Sequence, residues 1–79
     1  MTVGLTELER ALYDYFIAHP GEDVPRDVLL RDVWGYADGV SSRTVDVFVG
    51  SLRKKIEPDP SHPTRILTVR GVGYRMSEG

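Results

Sequence analysis

The chain has no cysteine among its 79 residues. No disulfide framework can brace it and no thiolate can ligate a metal, which fits a reducing compartment. Histidine is scarce as well: His19 and His62 each sit beside a proline, far apart in sequence. Neither a Cys/His metal set nor a nucleophile beside a base can be assembled from these residues, so no enzyme activity, metal or cofactor is expected. No apolar run approaches the ~20 residues of a membrane span, and the N-terminus lacks a basic stretch followed by an apolar one. No membrane partner is expected, and the cytoplasm is the expected compartment. At about half the usual domain length, residues 1–79 are expected to form one unit with a small core, working through a surface rather than a deep cleft.

What is present suffices to fold: 41% hydrophobic and 28% charged residues suit a globular domain rather than a disordered tail. The net charge of −2 conceals an asymmetry. Residues 1–40 carry three basic side chains against eight acidic ones, whereas residues 41–79 carry seven basic against four acidic. An acidic back and a basic front make a dipole that orients a small domain on nucleic acid. The competing reading is an ordinary solvated surface.

Thr6-Glu7-Leu8-Glu9 has the spacing of a capping box and predicts a first helix from about residue 7 to 19, with Leu8, Leu12, Tyr15 and Phe16 as its apolar stripe. Pro20 and Gly21 end it. A second helix is expected from about 25 to 34, opening at Pro25, burying Leu29, Leu30, Val33 and Trp34, and closed by Gly35 in the left-handed conformation. Ser41 or Ser42 caps a third helix over about 42–56. "EPDPSHPT" is a loop, and "RILTV", "RGVG" and "YRM" read as a β-hairpin over about 65–76. The expected fold is therefore α+β: a winged helix-turn-helix, a three-helix core followed by a C-terminal hairpin wing.

The third helix places Val45, Val49, Leu52 and Ile56 on one side, with Phe48 at its border. Arg43, Val47, Gly50 and Lys54 fall opposite, with Thr44 and Ser51 on the shoulders. A glycine within a helix costs about 1 kcal/mol relative to alanine, so Gly50 needs a reason, and close approach of another surface is one. A helix fits the major groove of B-DNA; Val47 and the Thr44 methyl suit thymine methyls, Ser51 suits either base pair, and Arg43, Arg53, Lys54 and Lys55 suit phosphates. Arg70 at the hairpin turn suits a narrow minor groove, with Tyr74 and Arg75 on the returning strand. Trp34 is expected in the core, its indole N–H within reach of a phosphate.

"LTELERALYDYF", "RDVLLRDVWGY", "SSRTVDVFVGSLRKKIE" and "TVRGVGYRM" resemble, in order and spacing, the OmpR/PhoB-type winged-helix effector domain of bacterial two-component response regulators. The resemblance implies binding of double-stranded DNA in transcription control, with the third helix in the major groove and the wing at the minor groove. It also implies a protein monomeric in solution that pairs head-to-tail on direct repeats, and contact with RNA polymerase through the 35–41 loop. By position it implies phosphate or backbone contacts from Arg43, Arg53 and Tyr74, groove-facing Thr44 and Val47, wing contacts from Thr68 and Arg70, and a match at Trp34. The chain departs from many members at Phe48, Gly50 and Ser51, where base or phosphate contacts are often made. The four-stranded sheet that opens the family has no counterpart in Met1–Gly4. An alternative function is a winged-helix protein-interaction module with weak or no DNA binding, which the acidic first half and Gly50-Ser51 favour.

Overall fold

A computed structural model describes residues 4–78. The expectation about a preceding sheet concerns Met1–Gly4, of which 1–3 lie outside the described residues. The elements are α1 (Glu7–Ala18), β1 (Val24–Pro25), α2 (Arg26–Asp32), α3 (Ser42–Ile56), β2 (Ile66–Val69) and β3 (Gly73–Met76). Three helices thus precede a hairpin, as in a winged helix-turn-helix.

α1 starts where its capping box does. The Thr6 hydroxyl accepts from the Glu9 N–H, while Glu9 Oε1 accepts from the Thr6 N–H at 2.9 Å. The helix buries Leu12 and Phe16 but leaves Leu8 exposed, and it ends at Ala18 with His19 as its cap, one residue before the expected end. α2 is shorter than the expected 25–34. Pro25 stands just outside it as N-cap, and the last helical residue is Asp32. Beyond it Gly35 and Tyr36 both take positive φ, returning their N–H groups to the carbonyls of Arg31 and Leu30. Trp34 is buried although it lies past the helix end. α3 spans the expected residues, with Ser41 as N-cap and the Thr44 hydroxyl accepting from the Ser41 N–H at 3.1 Å.

Val45, Val49 and Leu52 of α3 meet Leu12, Phe16, Leu29 and Ile66 in one core, with Ile56 and Phe48 packed at its edge. Burial of each such side chain is worth about 1.5–3 kcal/mol, and these few contributions hold the small fold together. The sheet has the order β1-β3-β2 and is antiparallel throughout. β1 is the element that sequence reading missed: two residues are too few to show an alternating pattern. It pairs Val24 with Tyr74 and Pro25 with Gly73. That pairing explains Gly73, because a Cβ there would stand 2.2 Å from the Val24 carbonyl oxygen. The hairpin turns at Arg70–Val72, where Gly71 takes the left-handed conformation.

Among the described residues the carboxylates of Glu9 and Glu57 are buried. Glu57 follows α3 and accepts from the N–H groups of Thr64, Arg65 and Ile66, holding the proline-rich loop against the start of β2. Burial alone would raise its pKa, but the three backbone donors outweigh it and the net direction is down.

Candidate nucleic-acid interface

The amphipathic pattern of α3 turns one side into the core and leaves Arg43, Val47 and Lys54 exposed on the other, with Val47 59% exposed. Gly50 belongs to this outer stripe. A Cβ on it would find nothing within 4 Å, so the protein's own packing does not require glycine there. Arg43 and Lys54 have no carboxylate partner among the described residues. Arg70 is likewise exposed and unpaired among them, at the hairpin turn.

Several expected contact residues face elsewhere. The Ser51 hydroxyl donates to Glu9 Oε2, and Lys55 Nζ donates to Glu9 Oε1 at 2.6 Å and to the Gly4 carbonyl at 2.9 Å. These two side chains therefore tie α3 to α1 instead of pointing outward. Glu9 is 2% exposed; the Lys55 ammonium, then the Ser51 hydroxyl and the Thr6 N–H, hold its pKa down to about 2. Phe48 packs edge-on against Trp34 with ring centroids 5.5 Å apart, an inward contact. Trp34 itself is 8% exposed, and its Nε1 is buried without a hydrogen-bond partner.

The wing is fastened to α3 by a second set. Arg53 donates to the Ile66 carbonyl at 2.7 Å and to the Thr68 hydroxyl at 3.0 Å, so its guanidinium braces the wing. Tyr74, expected at a phosphate, is 5% exposed and donates its hydroxyl to Asp46 Oδ1 at 2.6 Å. Arg26 donates to the same oxygen at 2.6 Å, and the Arg26 and Arg53 guanidiniums lie 5.1 and 5.3 Å from the Tyr74 ring centroid. Burial would raise the pKa of Asp46, yet the Tyr74 and Arg26 bonds outweigh it and lower it. The same burial and the Asp46 charge push Tyr74 up, so its hydroxyl stays protonated as a donor. Arg75 pairs with Asp23 at 3.1 Å beside β1, away from the turn that carries Arg70.

Glu9, Arg26 and Asp46 are the residues sequence reading missed. Glu9 was legible only as a cap; its two carboxylate oxygens also serve Ser51 and Lys55, more than 40 positions away. A signal did exist, since Ser51 and Lys55 are four apart and flank the Leu52 stripe, the spacing of one helix face.

Residues 1–76 match the family model described as "Transcriptional regulatory protein, C terminal". Among solved structures, the chain is similar to the DNA-binding domain of Bacillus subtilis CssR, at 36% identity over 94% of this chain and 78% of that one, with a TM-score of 0.79. It is similar to the Klebsiella pneumoniae RstA DNA-binding domain in complex with RstA box, at 36% identity over 95% and 74%, TM-score 0.83. It also resembles Thermotoga maritima DrrB, an OmpR/PhoB homolog, at 36% identity and TM-score 0.86, covering 95% of this chain but 34% of that response regulator. With its three helices, its wing and these matches along nearly the whole chain, the protein belongs to the OmpR/PhoB-type family of transcriptional regulatory DNA-binding domains.

Proposed function

We propose that this domain binds double-stranded DNA sequence-specifically in transcription regulation, with α3 in the major groove and the turn of the wing at the minor groove. The observation that carries this reading is the outer stripe of α3: Arg43 and Lys54, free of carboxylate partners among the described residues, bracket Val47 and an unobstructed Gly50. Cations at both ends suit phosphates, and a low middle suits close approach to base edges. The RstA relative, solved with its DNA box, supports the same use of this fold.

The roles divide by geometry. Arg43 and Lys54 contact phosphates, Val47 and Thr44 face the bases, and Arg70 enters the minor groove. Arg53, Thr68 and Tyr74 support these contacts by bracing the wing, and Ser51 and Lys55 by bracing α3 against α1. The family resemblance extends the reading to two copies head-to-tail on a direct repeat, in the bacterial cytoplasm. It extends also to RNA polymerase at the 35–41 loop, where Tyr36 and Asp38 are exposed.

Amide shift mapping with a DNA duplex tests the reading. Perturbation should centre on residues 43–54 and 68–72. Shifts confined to α1 and the 35–41 loop on adding a protein partner, with none on adding DNA, would replace it with the interaction-module reading.

A further inference from the structure

We propose that Asp46 is a positioning residue: by holding Tyr74 of the hairpin and Arg26 of α2 at one oxygen, it sets the angle between α3 and the wing, so that both reach their grooves together. The proposal rests on the DNA-binding reading above and gives a role to a side chain outside the outer stripe.

Two side chains of α3 fasten the hairpin, one to each strand. Arg53 donates to the Ile66 carbonyl and the Thr68 hydroxyl of β2. Asp46, seven residues earlier, accepts from the Tyr74 hydroxyl of β3. At 1.5 Å per residue the two attachments stand about 10 Å apart along α3. A single attachment would let the hairpin swivel, whereas two on different strands fix its tilt as well as its place. Tyr74 links them, since the guanidiniums of both Arg26 and Arg53 lie over its ring. Arg26 adds a third point: its side chain donates to Asp46 Oδ1, and its backbone N–H donates to the Val72 carbonyl at 3.4 Å, at the foot of the turn.

Charge pairing here adds little to stability, because the Asp46 side chain is 45% exposed and solvent screens it. Its effect is on geometry. Thr68 and Tyr74 are register partners, and Arg70 stands two residues beyond Thr68, about 7 Å at 3.3 Å per residue. A hairpin tilted about this pair carries Arg70 away from its groove while α3 stays seated. With α3 in place, an Arg70 held at the right angle meets the minor groove as an intramolecular event, and misalignment removes that advantage.

A double-mutant cycle tests this, using a tight-binding A·T-flanked duplex selected from a random library, at fixed salt. Arg70→Ala should weaken binding at least about fivefold in the native protein and less than about twofold in Asp46→Asn. Tyr74→Phe keeps the carboxylate and the ring but deletes the donor, and should shrink the cost of Arg70→Ala in the same way. That variant separates position from a change of charge near DNA, and it carries the test should Asp46→Asn melt below the assay temperature. Lys54→Ala, on α3 itself, should cost the same in all three backgrounds. An equal cost of Arg70→Ala in every background, zero included, would overturn the proposal and leave DNA binding intact. So would loss of the Lys54 effect alongside that of Arg70, the mark of a fold loosened throughout. Failure to enrich any duplex would overturn both the proposal and the DNA-binding reading.

Discussion

Lys55 Nζ stands 2.6 Å from Glu9 Oε1, and this contact fastens the last turn of α3 to the first turn of α1. It also removes one cation from the outward face of α3, leaving Arg43 and Lys54 as the charges available there. The helix offered to DNA is thus less basic than "LRKK" suggests, and better anchored.

The anchor makes stability depend on pH with a definite sign. The folded pKa of Glu9 is lowered to about 2, so its contribution is fully present above the ordinary carboxylate range and is lost as pH falls toward 2. Glu9→Gln should destabilise the fold by about 3 kcal/mol at pH 7, because Lys55 loses its buried partner. Urea titrations at pH 7, 4 and 3 should show a shallower acid decline for the variant than for the native protein. Part of the decline remains, since Glu57 is lowered as well.

Gly73→Ala should cost about 3 kcal/mol, the upper range for forcing a group into packed structure. The obstacle is backbone, the Val24 carbonyl oxygen at 2.2 Å, and it cannot swing aside as a side chain does. Thermal melting checks this, and loss of the β1–β3 amide contacts in NMR identifies the cause.

Gly50→Ala should do the reverse to stability, raising it by up to about 1 kcal/mol, because a Cβ meets nothing and alanine favours helix. Gly50→Leu should keep that stability yet weaken duplex binding at least tenfold, by holding the helix off the bases. Melting and titration on the same samples separate the two effects.

Arg70→Ala should weaken binding mainly where the flanking sequence is A·T-rich, since a narrow minor groove concentrates negative potential. Titrations against duplexes with A·T and G·C flanks check it; equal loss on both would remove the minor-groove role.

Much of the fold was legible because its signals are local. The Thr6–Glu9 box, the Val45/Val49/Leu52 stripe and the "RGVG" turn each declare themselves within one turn or one hairpin. β1 was not, because Val24 and Pro25 form a strand only by pairing with β3. The candidate interface divides the same way. Arg43, Val47, Gly50 and Lys54 follow from helical spacing. Ser51, Lys55, Tyr74 and Arg75 look equally available in the sequence, and what removes them is a partner far along the chain: Glu9, Asp46 or Asp23. A basic or polar side chain is free only when no distant acid claims it, and spacing alone does not reveal that.

The most direct test is the salt dependence of duplex affinity. Each phosphate neutralised releases counterions and adds about −0.9 to the slope of log K against log salt. Arg43, Lys54 and Arg70 together give an expected slope of about −3 per bound copy. A slope near zero, with affinity unchanged across the salt range, would contradict an interface built on these three cations.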